Sequence, residues 1–221
     1  MKHFMLALAG AVLIAVGSMG AGHADTIVGT SGDDILTCPP SDDNFTVDDN
    51  NFTVKGKSGN DNISCGLGND RLEGGPGDDI ITDTGGNNVI NGGEGDDLIT
   101  YNSSDGKSSK VTGGKGNDNI TDECTSNCGG NLLRGGEGDD NISGGAGNDF
   151  ITGDDGDDTL SGGDGNDCID GGTAGEIIGD TCDGGDGDDC CINCEDQTSC
   201  DSPGSGACVD VVQQACGFPS L

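Results

Sequence analysis

From Gly29 onward the chain repeats itself every nine residues. Aligned on G-G-x-G-x-D-x-U-x, with U a large apolar residue, it reads "GGPGDDIIT" at 74–82, "GGEGDDLIT" at 92–100, "GGKGNDNIT" at 113–121 and "GGEGDDNIS" at 135–143. The units run without a break from Gly29 to Thr100. They slip phase in a twelve-residue unit at 101–112 and in thirteen-residue units at 122–134 and 171–183, and the last unit ends at 192. Units 38–46 and 47–55 keep an apolar eighth position (Phe45, Val54) but lack the glycines. A period this short restricts the fold severely, because each unit holds a few extended residues and one tight turn.

The eighth position reads Leu36, Phe45, Val54, Ile63, Leu72, Ile81, Ile90, Ile99, Val111, Ile120, Leu133, Ile142, Ile151, Leu160, Ile169, Cys182 and Cys191. A short strand around it, followed by a glycine-rich turn, gives one inward side chain per strand. One strand cannot bury that side chain, but the next coil stacked upon it can. The expected fold is all-β, a parallel β-roll or β-helix solenoid with a ladder of Ile, Leu and Val as its narrow core. The rival reading is Gly/Asp-rich disorder. Period, constant phase and the single apolar file oppose it, and it becomes the expectation only without metal.

Composition explains why metal enters. The chain has 41 acidic residues against 8 basic ones, a net charge of −33, with 45 glycines and 3% aromatics. Alone, such a chain repels itself, and the same charge disfavours nucleic acid and anionic membrane as partners. Cations are the favoured partner. Successive glycines let the turn adopt φ > 0 and aim its carbonyls inward. Hard cations such as Ca²⁺ take six to eight oxygens, carboxylates and backbone carbonyls included. Loops on neighbouring coils can supply such a set jointly.

These units, especially 74–82, 92–100, 113–121, 135–152 and 162–170, resemble the RTX, or haemolysin-type calcium-binding, nonapeptide repeats. The resemblance implies two nonapeptides per coil, with Ca²⁺ between loops eighteen residues apart. It carries the ligand role to the sixth-position carboxylates Asp34, Asp61, Asp70, Asp79, Asp97, Asp118, Asp140, Asp149, Asp158, Asp167 and Asp189, together with Asp43 and Asp180. Asn88 and Asn131 depart from it. Alternate units then present loops on opposite sides. One edge reads Asp43, Asp61, Asp79, Asp97, Asp118, Asp140, Asp158, Asp180, and the other reads Asp34, Phe52, Asp70, Asn88, Ser109, Asn131, Asp149, Asp167, Asp189. The second edge is interrupted in its middle.

The ends differ from the repeat. Lys2, the apolar stretch 4–20 and "GHA" at 22–24 form a signal-peptide pattern, giving three regions: signal 1–24, repeat domain 25–192 and a cysteine-rich cap 193–221. The expected location is secreted or extracellular, with periplasm or cell surface as variants, and no later segment is apolar enough to span a membrane. His3 and His23, the only histidines, leave with the signal, which removes histidine triads and histidine zinc sites.

Twelve cysteines in an exported chain favour disulfides. Cys168 with Cys190, both seventh-position residues two units apart, Cys182 with Cys191, and Cys124 with Cys128 are the expected pairs. The tail, with Val209, Val211, Val212 and Phe218, is expected to cover the last coil.

No EF-hand, G-x-S-x-G or H-E-x-x-H pattern occurs, and "DGKSS" at 105–109 lacks the first glycine of a phosphate loop. The expected function is a secreted calcium-binding protein with a structural, surface or matrix role and no enzymatic activity. Alternatives are a recognition or adhesion module for a carbohydrate or surface ligand, or a small toxin-like effector acting through the tail. The third position (Ser58, Leu67, Pro76, Glu94, Lys115) offers no uniform recognition face.

Overall fold

A computed structural model describes residues 13–14, 25–28, 32, 35–37, 51–172 and 179–200. The expected ligands Asp34 and Asp43, together with Cys38, Cys208, Cys216 and the tail residues Val209 to Phe218, lie outside them.

Each nonapeptide makes one strand from its last three residues and the first residues of the next unit, as in β6 (Arg71–Pro76) and β7 (Ile80–Gly85). The burial alternates along these strands, with the eighth position inside and the seventh outside. That period of two is what a half-buried strand requires. Successive strands go to opposite sheets. The odd-numbered strands form a ten-stranded parallel sheet and the even-numbered ones a nine-stranded parallel sheet. The chain is therefore an all-β parallel solenoid, and no helix among the described residues is long and apolar enough to cross a membrane.

The two sheets face each other across the eighth-position file. Leu72, Ile81, Ile99, Val111, Ile120, Leu133 and Ile151 are all fully buried, and they belong to one continuous core cluster. Neighbours in this file are register partners, such as Ile81 with Ile99 and Ile99 with Ile120. The longer units do not break it. Val111 pairs with Ile90 on one side and Leu133 on the other, so the extra residues of 101–112 and 122–134 are accommodated outside the ladder.

The start of the stack differs from the sequence reading. Leu36 pairs with Ile63 and Ile27 with Val54, a separation of three units rather than two. β3 (Ile35–Thr37) therefore stands in the sheet of Ile63 and not in that of β4 (Phe52–Lys55), where counting placed it. Phe45, expected in the same file, lies outside the described residues. At the N-terminal end, β1 (Leu13–Ile14), inside the expected signal segment, pairs with Leu36–Thr37.

The C-terminal end is closed by sulfur. Beyond β18 (Cys190–Ile192), β19 (Asp196–Thr198) adds one more strand to the ten-stranded sheet, past the expected boundary at 192. Cys124–Cys128 is bridged as expected. Cys182 and Cys191 are not bridged to each other. Cys182 bonds Cys194, and Cys191 bonds Cys200. Cys182 and Cys191 lie on opposite sheets, each the last inward residue of its file, and each takes its partner from the chain laid over the open end. Cys194 and Cys200 accordingly pack on the core cluster. Cys168 and Cys190 are register partners, and each is disulfide-bonded, but the bridge expected between them is not among those joining described residues.

The outer faces of the two sheets differ chemically. On the nine-stranded sheet Lys55, Arg71 and Arg134 pair with Glu73, Glu73 and Asp154, and Lys115 lies 3.7 Å from Glu94. The ten-stranded sheet carries in its ninth position the in-register file Ser64, Thr82, Thr100, Thr121, Ser143 and Ser161. A uniform outward file therefore exists, at a position other than the third.

Candidate metal centre

The turns between strands stack into two edges, and in each the sixth residue points inward. Asp61, Asp79, Asp97, Asp118, Asp140 and Asp158 line one edge, and Asp70, Asp149, Asp167 and Asp189 line the other, all at most 2% exposed. Each carboxylate is held by the preceding coil. Asp79 Oδ1 accepts the N–H of Asp61 at 2.7 Å, Asp97 Oδ1 that of Asp79 at 2.7 Å, and Asp118 Oδ1 that of Asp97 at 2.8 Å. The same bond continues to Asp140, Asp158 and Asp180. On the second edge it links Asn131 to Asp149, Asp149 to Asp167 and Asp167 to Asp189.

One oxygen of each aspartate is thus oriented and the other is left over. Oδ2 of Asp70, Asp79, Asp97, Asp118, Asp140, Asp149, Asp158 and Asp167 is buried without a hydrogen-bond partner. A buried carboxylate oxygen with no partner costs roughly several kcal/mol unless something positive meets it.

The backbone of the first-position glycine lies against it. A Cβ placed on Gly74 would fall on Asp79 Oδ2 and come within 2.6 Å of the Gly92 carbonyl oxygen of the next coil. The same cradle recurs at Gly56, Gly92, Gly113, Gly135 and Gly153 on the first edge, and at Gly144, Gly162 and Gly184 on the second. Only glycine at the first position keeps it open. The neighbouring Gly75 and Gly77 have φ of +128° and +136°, which turns the backbone sharply around the same space. A buried carboxylate oxygen without a hydrogen-bond partner and a carbonyl oxygen close to it suit a hard cation.

Electrostatics agree. Burial pushes the Asp79, Asp118 and Asp158 carboxyls up to about 6, those of Asp97, Asp140 and Asp167 up to about 7, and that of Asp149 up to about 8. The backbone donor pulls each back, and charged neighbours push again: Asp167 and Asp122 act on Asp149. Such a file is at ease only when protonated or loaded with cations.

The edges separate more sharply at the first position than at the sixth. From Cys65 to Asp122 the second edge has no first-position glycine, its residues there being Cys65, Asp83, Tyr101 and Asp122. Tyr101 is fully buried. Asn88, Ser109 and Asn131 nevertheless continue the hydrogen-bonded ladder, accepting from Asp70, Asn88 and Ser109 in turn.

The fifth position was missed in the sequence. Asp78 accepts the N–H of Asp96 at 3.1 Å, Asp96 that of Asn117 at 2.8 Å, and Asn117 that of Asp139 at 3.0 Å. This outer ladder runs opposite to the inner one, since here the earlier coil accepts. The signal was available, because the fifth position of every nine-residue unit is Asp or Asn.

A family model described as RTX calcium-binding nonapeptide repeat (4 copies) matches residues 19–37, 53–81, 73–106, 129–160 and 144–173. No curated protein matches the chain.

Proposed function

The chain belongs to the RTX calcium-binding nonapeptide repeat family, whose repeats bind several Ca²⁺ ions per array, and from that premise we propose that it is an exported solenoid folded by its ions. It serves as a structural component of a surface or matrix and carries out no chemistry of its own. The observation that carries this reading is the row of buried Oδ2 atoms of Asp79, Asp97, Asp118, Asp140, Asp149, Asp158 and Asp167, which lack hydrogen-bond partners and stand beside glycine cradles. The proposed ligands are Asp61, Asp79, Asp97, Asp118, Asp140 and Asp158 on one edge and Asp70, Asp149, Asp167 and Asp189 on the other, with Asp34 added from the sequence. What calcium supplies when bound is charge neutralisation. The chain's own residues orient one carboxylate oxygen by a backbone N–H, keep the other free and exclude water around it.

Export is supported by the pattern of residues 1–24, and the absence of catalysis by the lack of any histidine from Asp25 to Leu221. Because the carboxylates repel one another when bare, binding energy is folding energy. Circular dichroism of the disulfide-reduced protein should pass from coil to β on adding Ca²⁺. A β spectrum that persists unchanged in excess chelator overturns the reading.

A second reading, a recognition module, is favoured by the Ser/Thr file of the ten-stranded sheet, a regular hydroxyl face flanked by the outward Ile80 and Leu98. Its test is retention of the Ca²⁺-loaded protein on insoluble polysaccharide. Loss of retention in the double variant Thr82→Lys, Thr100→Lys supports it, and equal retention removes it.

A further inference from the structure

Where the second edge loses its glycines, the carboxylate has moved rather than vanished. Unit 83–91 carries Asn88 at position six and Asp83 at position one, and unit 122–134 repeats the exchange with Asn131 and Asp122. In both, the asparagine spans the two roles. Asn88 Oδ1 accepts the N–H of Asp70 at 2.8 Å, and its Nδ2 donates to Asp83 Oδ1 at 2.7 Å. Asn131 Nδ2 donates to Asp122 Oδ2 at 2.9 Å.

The two exchanges end differently. Asp122 has both oxygens satisfied. Oδ1 accepts from the backbone of Ser103 and Cys124, and Oδ2 from the Ser103 hydroxyl and Asn131. Asp83 has one oxygen satisfied, by Asn88 and by Gly85 N–H at 2.9 Å, while its Oδ2 has no partner. Asp70 Oδ2 has none either. Both residues are 2% exposed, and ligand atoms of Cys65, Asp70 and Asp83 lie within 4.8 Å of one another. Cys65 is disulfide-bonded, so it brings no thiolate and the cluster offers oxygen ligands alone.

We propose that Asp70 and Asp83 jointly hold one further hard divalent cation, Ca²⁺ in the first place, in a site whose second carboxylate comes from the first position of the repeat, and that the matching Asp122 rung holds none. Two buried carboxylates, each with an oxygen lacking a hydrogen-bond partner and with ligand atoms within 4.8 Å of one another, give the charge and oxygen donors that such an ion takes, with carbonyls and water completing its shell. At Asp122 side-chain hydrogen bonds already do that work, so a cation there would have to displace them. Two different solutions to the same substitution therefore stand along one edge.

The proposal rests on the chain being a calcium-loaded solenoid, and its test separates the two. Native mass spectrometry of the purified chain at saturating Ca²⁺ counts ions per molecule, with far-UV circular dichroism as a check on folding. Asp83→Asn keeps an acceptor for Gly85 and Asn88, and it should bind one ion fewer than the parent. Asp70→Asn removes the other carboxylate of the site and should lose at least that ion, whereas Asp122→Asn should keep the parental count. A parent that binds no Ca²⁺ overturns the proposed function itself. A normal parent count retained by Asp83→Asn overturns only the present inference and means that the pair shares a proton instead.

Discussion

At the scale of single residues, the first position of the repeat decides what the sixth can do. The aspartate supplies the ligand oxygen, but a Cβ on Gly74 would occupy the space beside it. Gly74→Ala is therefore expected to raise the Ca²⁺ midpoint for folding several-fold. Gly66→Ala is the control, because a Cβ there meets nothing nearer than Thr84 Oγ1 at 4.0 Å. It should shift the midpoint little, or stabilise by about 0.4–1 kcal/mol through the unfolded chain. Equal midpoints for the two variants in a calcium titration would remove the cradle from the account. The sixth-position aspartates were legible in the sequence because one residue type recurs at one spacing. The relocated carboxylates Asp83 and Asp122 were not, because each makes sense only beside the asparagine it touches, and that contact crosses the turn.

At the scale of the strand, the informative unit is a rung. Ile120 is fully buried and stacks between Ile99 and Ile142. Ile80, one strand position away from such a file, points outward and is 43% exposed. Ile120→Ala should cost about 2–5 kcal/mol in denaturant unfolding of the Ca²⁺-loaded protein, from lost burial and the cavity left behind. Ile80→Ala should stay within about 0.5 kcal/mol of the parent. Similar losses for the two would show that the eighth position is not the core. Because each coil contacts only its neighbours, the Ile120 variant should weaken the middle of the stack rather than its ends, visible as faster amide exchange in β9 (Leu98–Tyr101) and β13 (Asn141–Ser143).

The strands were legible wherever the eighth position was aliphatic and the glycines intact. The count failed at the start of the stack, where Leu36 pairs with Ile63, three units on rather than two. The pairing of Cys182 with Cys191 also failed, since the two share phase and inward direction but sit on facing sheets. Phase alone does not tell which cysteine of an irregular tail reaches each of them.

At the scale of the whole molecule, the two edges make the solenoid a store of carboxyls that prefer a proton when no ion is present. Burial raises them from the usual carboxylate range, near 4, to about 6 for Asp79, Asp118 and Asp158, about 7 for Asp97, Asp140 and Asp167, and about 8 for Asp149. The metal-free folded state therefore binds more protons than the unfolded chain between about pH 4 and pH 8. Its stability must rise as pH falls through that window and be lost as pH rises through the folded-state values. Protons and Ca²⁺ compete for the same Oδ2 atoms, so calcium binding should weaken over the same range. Two measurements follow from one sign. In metal-free buffer the β signal in circular dichroism should grow as pH is lowered from 8 towards 4.5. The Ca²⁺ midpoint for folding should be higher at pH 5.5 than at pH 8. A metal-free chain most folded at pH 8 would contradict the electrostatics of both edges, because a net charge of −33 gives it no other means of lowering its own repulsion.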